Sequence, residues 1–331
     1  MPVVLITPEA MLHKPAPYVD ALKAAGFDVV YPRDPTFTRG LLSEDETVEQ
    51  LRICDAVLAG GERCTRNVLE QLPRLRVIAR AGVGYNRIDM ATATARRIPV
   101  TITPNSNFDA VAEHTIALLF ATAKSMIAMD RGVRANTWRR VLTAPVREST
   151  LGLIGLGRIG RAVAIRARAL GMVVVASESQ PDLTFIKQHG IELTSLDQVL
   201  SRADYLSIHC PLNAETKGLI NRNTLAKMKP GSVLINTARG PLVVESDLIE
   251  ALQSGHLRAA GLDVFEQEPP APDNPLFQMD NVVLSPHIGG EDTLSSRNMG
   301  CEAADCIIRL YRGEWPTGAV VNQELQSGWK W

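Results

Sequence analysis

GLIGLGRIGRAVAIRARALGMVVVASES, residues 152–179, decides how the chain is read. An apolar strand runs into GLGRIG, in which Gly155, Gly157 and Gly160 form a GxGxxG at the point where a helical pattern opens. The first glycine permits a tight turn, the second lets a pyrophosphate approach the backbone, and the third allows close helix–strand packing. The first amides of the helix, from Arg158 and Ile159 onward, then face the phosphates. A second apolar strand follows and ends at Glu178, 18 residues after Gly160. A carboxylate at that place accepts hydrogen bonds from the ribose hydroxyls of adenosine and repels a 2′-phosphate. No arginine or lysine occurs in SESQ (177–180) to welcome such a phosphate. NAD is therefore expected over NADP.

Outward from this motif, short apolar runs alternate with helical patterns from Leu151 to about Pro286, with strands in LGLIG, MVVVAS, DYLSIHC, SVLINTA, AAGLDVF and NVVLS. The first hundred residues alternate likewise through VVLIT, FDVVY, DAVLAG, LRVIARAG and IPVTIT. Helices between strands return the chain to the same sheet edge, which predicts two doubly wound parallel-sheet α/β domains. The first half has no GxGxxG after its first strand, so no nucleotide is assigned to it. Residues 109–134 read as one long apolar helix leading from one domain to the next. The stretch from Glu291 through Leu310 is again helical and is expected to return to the first domain. The expected division is 1–104 with 291–331, and 105–290 as the dinucleotide domain.

Composition narrows the class. A length of 331 residues suits two domains, and 45% hydrophobic with 21% charged residues is ordinary for a globular protein. A formal charge of −1 gives no electrostatic reason to expect nucleic acid or a membrane surface. MPVVLITPEAML reads as a first strand and not as a signal peptide. Cys54, Cys64, Cys210, Cys301 and Cys306 form no CxxC pair and show no zinc-ligand spacing, so reduced thiols, a cytoplasmic location and no metal are expected.

Ligands of an open parallel sheet bind beyond the carboxyl ends of its strands. After SVLINTA comes Arg239, after AAGLDVF come Glu266 and Glu268, and after NVVLS comes His287. A guanidinium, a carboxylate and an imidazole on one edge suit one chemistry. Arg239 could clamp a substrate carboxylate and polarise a neighbouring keto oxygen. His287 could give that oxygen a proton, or remove it in the oxidative direction. Glu268, bonded to the imidazole, would fix its tautomer. Gly289 and Gly290 would let the chain turn close against the cofactor.

At these residues the chain resembles the D-isomer-specific 2-hydroxyacid dehydrogenases. The resemblance runs through RAGVGYNRID (80–89), NSNFDAVAEHT (105–115), GLIGLGRIG, HCPLNAETKGLI (209–220), NTARG (236–240), GLDVFEQEP (261–269) and SPHIGG (285–290). It implies Arg239, Glu268 and His287 as the catalytic residues, with Glu268 preferred to Glu266 because it precedes the proline. It also implies Asp263 as partner of the nicotinamide amide and Glu178 as the ribose carboxylate. His209, Cys210, Pro211, Thr237, Ala238, Gly289 and Gly290 are the further candidate neighbours of the cofactor. Within the family, RAGVGYN and TPNSN look most like the phosphoglycerate dehydrogenase branch. The candidate substrate contacts are accordingly Arg80, the backbone of Val83 and Gly84, Asn105, Arg239 and His287. Two features depart from that branch. Ser177 replaces an aromatic residue often found before the ribose acid, and no regulatory C-terminal domain is expected within the 331 residues.

The resemblance further implies a homodimer, with Trp138 in NTWRR either directed toward the partner's site or packing in the core or at the interface. Glyoxylate or hydroxypyruvate reduction is the alternative activity. An NAD(H)-sensing, corepressor-like interaction protein is the alternative of another class. Among the remaining histidines, His114 is read as packed or capping, and His13, His189 and His256 as exposed.

Overall fold

The computed structural model describes all residues, 1–331, which form two compact units, 1–107 with 291–331 and 108–290. The chain passes between them at Asn107–Phe108, slightly beyond the boundary expected at 104–105, because the crossover helix begins only at Phe108.

The first unit comprises β1 (Val3–Ile6), α1 (Pro17–Ala24), β2 (Asp28–Val30), α2 (Glu44–Leu51), β3 (Ala56–Ala59), α3 (Arg66–Glu70), β4 (Val77–Arg80), α4 (Met90–Ala95) and β5 (Val100–Thr101). Its five parallel strands lie in the order β2-β1-β3-β4-β5, with Val4, Leu5 and Ile6 wholly buried. Such continuous apolar runs are what strands covered on both faces require.

The second unit comprises α5 (Phe108–Ala123), α6 (Met126–Arg134), β6 (Thr150–Ile154), α7 (Arg158–Ala169), β7 (Val173–Ser177), α8 (Leu183–His189), β8 (Glu192–Leu193), α9 (Leu196–Arg202), β9 (Tyr205–Ile208), α10 (Arg222–Leu225), β10 (Ser232–Asn236), α11 (Glu245–Gln253), β11 (Leu257–Leu262) and β12 (Val282–Leu284). Its seven parallel strands are ordered β12-β11-β10-β9-β6-β7-β8. The strand order reverses at the β6/β9 junction, so the crevice of a doubly wound sheet opens where GLGRIG follows β6 and His209 follows β9. One face of this sheet buries residues of α9, α10 and α11, and the other those of α5, α7 and α8.

The chain then returns to the first unit. Asp292 caps α12 (Thr293–Tyr311) by accepting from the Ser295 amide at 2.6 Å. Met299, Ala303 and Ile307 of α12 share a core with Tyr18 and Leu22 of α1 and with β3 and β4.

Two local expectations differ from the structure. The single helix expected over 109–134 is two helices bent by 59°, with Ser125 in the left-handed region at φ 50 between them. The α5 segment buries Val111, Leu118 and Leu119, whereas α6 buries nothing, so the break falls where the sheet no longer covers the helix. The two-residue edge strand β8 was not expected; it is too short to show a period. No single helix is long and apolar enough to cross a membrane.

Candidate active site

The glycine turn is shaped by steric exclusion. Gly155 adopts φ 95, and a β-carbon there would lie 2.7 Å from the His209 carbonyl carbon and from the Cys210 amide. A β-carbon on Gly160 would meet the Gly155 carbonyl. Gly157 is the opposite case, since nothing lies within 4 Å of the place its β-carbon would take. It stands at the N-cap of α7 with no side-chain cap, so the first amides of that helix open onto clear space. An open cradle at an uncapped helix start fits a dinucleotide pyrophosphate.

Glu178 lies just past β7, half-buried, and its Oε2 accepts from the Leu156 amide at 2.6 Å. Its Oε1 accepts from the Gln180 amide at 2.9 Å. Burial pushes this carboxyl up, but the Gln180 and Leu156 amides and the Ser179 hydroxyl outweigh it and leave the pKa below the usual range. An anion held at the lip of the glycine turn is the group a ribose hydroxyl pair requires and a 2′-phosphate avoids. NAD therefore fits the residues present.

His209 follows β9, with Nε2 2.9 Å from the Ser207 hydroxyl. Desolvation drives its pKa down to about 3, which keeps it neutral at physiological pH. Burial pushes the neighbouring Cys210 thiol up to about 11, and all five cysteines are unpaired thiols.

Three adjacent strands, β10, β11 and β12, carry the remaining candidates past their carboxyl ends, in registers pairing Asn236 with Leu262 and Leu262 with Leu284. Asn236, buried at the end of β10, accepts from the Ala238 amide at 3.0 Å and donates to the Arg239 carbonyl at 2.9 Å. This Asx-type staple fixes the Thr237–Arg239 turn. Thr237 adds a 2.9 Å contact to Thr115 of α5. A β-carbon on Gly240 would overlap the Phe265 carbonyl, so only glycine lets the Arg239 turn lie against the segment leaving β11.

That segment separates the two candidate glutamates. Glu266 accepts from the Glu245 amide at 3.3 Å, at the start of α11. Glu268 instead places Oε2 2.8 Å from His287 Nδ1 and accepts from the Phe265 amide at 3.3 Å. The imidazole, 44% exposed, therefore turns Nε2 away from its carboxylate partner.

In the turn beyond β12 the residue in the left-handed region is His287, at φ 56, and neither Gly289 nor Gly290 has a positive φ. Gly289 is needed for space, because a β-carbon would lie 2.8 Å from Asp263 Oδ2. Asp263, 2% exposed, accepts from the Gly289 amide at 2.8 Å, the Ile288 amide at 2.9 Å and the Ser285 hydroxyl at 2.6 Å. His114 of α5 completes the cluster, Nε2 2.7 Å from Ser285 Oγ. Burial raises the Asp263 pKa, but the contacts from His114, Ser285 and the two amides outweigh it and hold it below the usual range. Asn236, Ser285 and the anchoring role of Asp263 were not found from the sequence, and His114 neither caps a helix nor merely fills space.

Residues 116–289 match the family model described as D-isomer specific 2-hydroxyacid dehydrogenase, NAD binding domain. A glyoxylate reductase of Korarchaeum cryptofilum is 38% identical over 290 residues, covering 86% of this chain and 87% of that protein. The chain belongs to the D-isomer-specific 2-hydroxyacid dehydrogenases. The chain is also 42% identical over 266 residues to the D-3-phosphoglycerate dehydrogenase of Mycobacterium tuberculosis, covering 78% of itself but 50% of that relative. It thus spans about half the length of the mycobacterial relatives it matches. Among solved structures, the TT0316 protein of Thermus thermophilus matches with a TM-score of 0.85 at 34% identity, over 96% of this chain and 99% of that one. The Aquifex aeolicus D-lactate dehydrogenase complexed with NAD and lactic acid matches at 0.81 and 29%, over 96% and 98%.

The remaining substrate candidates, Arg80, Val83, Gly84 and Asn105, lie in the first unit. Arg80, at the end of β4, donates from Nε to the Gly84 carbonyl at 2.7 Å and from Nη1 to the Ala59 carbonyl at 3.3 Å. Gly82, at φ 138, and Thr103 bond each other through backbone and side chain, fixing the loop that carries Val83 and Gly84. Asn105 directs its amide to Glu302 of α12 at 3.2 Å. Of the histidines expected on the surface, His13 is exposed, whereas His189, tilted against the Phe185 ring, and His256, bonded to the Leu225 carbonyl at 2.9 Å, are half-buried.

Proposed function

We propose that the protein interconverts a small D-2-hydroxy acid and its 2-oxo acid with NAD, and that Arg239, Glu268 and His287 carry the reaction. The observation that carries the reading is the Nδ1–Glu268 hydrogen bond of 2.8 Å on a half-exposed imidazole past the end of β12. Glu268 fixes the proton on Nδ1 and leaves Nε2 to exchange a proton with the substrate oxygen. Arg239, on a turn stapled by Asn236, takes the substrate carboxylate through parallel N–H donors and draws electron density from the adjacent carbonyl. Bound NAD supplies the hydride acceptor, and NADH the donor. Arg80 and the Val83–Gly84 backbone belong to the same reading as substrate contacts.

The first substrates to offer are 3-phosphoglycerate, in the oxidative direction, and glyoxylate and hydroxypyruvate, in the reductive one. The half-length match to phosphoglycerate dehydrogenases and the near-full-length match to a glyoxylate reductase support trying both classes. Turnover is followed by NADH absorbance. Arg239→Ala should lower kcat/KM about a hundredfold, and full activity in that variant would refute the clamp. NAD binding with no turnover of any 2-hydroxy or 2-oxo acid would instead favour an NAD(H)-sensing interaction protein.

A homodimer belongs to the same proposal. The exposed apolar side chains of Met126, Ile127 and Val133 on α6, followed by Trp138 and Leu142, form a stretch that a second copy would cover.

A further inference from the structure

We propose that His114 is a positioning residue for the reaction: through Ser285 and Asp263 it holds the backbone turn that presents His287. The inference rests on the dehydrogenase reading above, yet its geometry lies wholly within the second unit.

The hydrogens can be counted. Asp263 is ionised and only accepts, and its Oδ1 and Oδ2 already receive the Ile288 and Gly289 amides. Ser285 owns one hydroxyl hydrogen, and at 2.6 Å from Oδ1 it gives that hydrogen to Asp263. Ser285 Oγ is therefore the acceptor toward His114 at 2.7 Å, so Nε2 of His114 carries a hydrogen. The same nitrogen lies 3.5 Å from Asp263 Oδ1. One carboxylate thus ties down residues 285, 288 and 289, on both sides of the left-handed His287.

A non-glycine residue at positive φ persists only where its surroundings over-determine it. Here the surroundings are Glu268 on the side chain and the Asp263 cluster on the backbone. His114 contributes the one donor that comes from outside the β11–β12 region, from the middle of α5. Without it Ser285 loses its donor, and the hydroxyl can rotate away from Asp263. The His287 ring would then shift relative to the reacting oxygen, and small displacements of that kind are costly in rate.

The test uses the full chain and a 2-oxo acid that the wild-type protein turns over. His114→Ala should lower kcat by roughly tenfold to a hundredfold with the NADH dissociation constant, read by fluorescence, changed about twofold or less. His114→Gln retains a donor at the position of Nε2 and should recover most of the rate. Ser285→Ala should match His114→Ala, and the double variant should be no slower than the slower single one. In ¹⁵N-histidine spectra of the wild type, His114 should show hydrogen on Nε2, which holds even if a variant fails to fold. An unchanged kcat in His114→Ala, a glutamine variant as slow as alanine, additive losses, or a bare Nε2 would each overturn the proposal. A wild-type protein inactive on every 2-oxo acid would overturn the dehydrogenase reading itself.

Discussion

His209 and His287 stand past strands of the same sheet, in different surroundings. His287 is half-exposed against a carboxylate, whereas His209 is turned inward to a serine hydroxyl and pushed down to about 3. The second case has a stability consequence with a definite sign. Between pH 6.5 and 3 the unfolded chain binds a proton on His209 that the folded chain refuses, so stability falls as pH falls through that window. The slope is at most about 1.4 kcal/mol per pH unit. Urea midpoints measured between pH 7 and 5 should therefore decline in the wild type. They should decline less in His209→Gln, which has no group to titrate. Parallel slopes for the two proteins would mean that His209 is solvated and not desolvated as its place beside the glycine turn requires.

At the scale of elements, the glycine turn separates two demands that a motif alone runs together. Gly155→Ala meets both a left-handed backbone and the carbonyl carbon of His209, so it should cost about 2 kcal/mol or more of stability before any cofactor is added. Gly157→Ala meets only empty space, so its melting temperature should stay within about 2 °C of wild type. Its NAD affinity should nevertheless fall about tenfold or more, because the methyl group occupies the phosphate cradle. Calorimetric melting and NAD titration of the two variants check the pair, and a Gly157→Ala protein that binds NAD normally would remove the cradle. Strand after strand was legible because buried parallel strands read as unbroken apolar runs, and GLGRIG because its strand, turn and helix are contiguous. The bend at Ser125 was not legible, since the loss of sheet cover that ends α5 depends on strands far along the chain. The same holds for the Ser285–His114 contact, which joins positions 171 residues apart, and for His287, whose strained dihedral has no local marker. Asn236 is different. An asparagine closing an apolar strand before a turn is a readable Asx signal, and it passed unused.

For the whole molecule, the strongest unanswered surface is the segment leaving α5. No residue of α6 is buried, Trp138 is 81% exposed and Leu142 is fully so. Side chains of this size collected along one short stretch exceed what scattered surface residues explain, and burial against an identical stretch is the simplest closed arrangement. Arg131 and Arg134 flank the apolar residues, but their charges are already answered by Asp280 and Asp130 at 3.2 and 2.8 Å. Association should therefore depend on apolar area and resist salt, since screening acts on exposed charges. Light scattering at several concentrations should give twice the 36.0 kDa chain mass, at both low and high ionic strength. The double variant Ile127→Glu with Leu142→Glu would place carboxylates in the seam and should shift the protein to monomer with its circular dichroism unchanged. A wild-type monomer at micromolar concentration, or a double variant that still pairs, would move the interface elsewhere and leave Trp138 without the partner its exposure calls for.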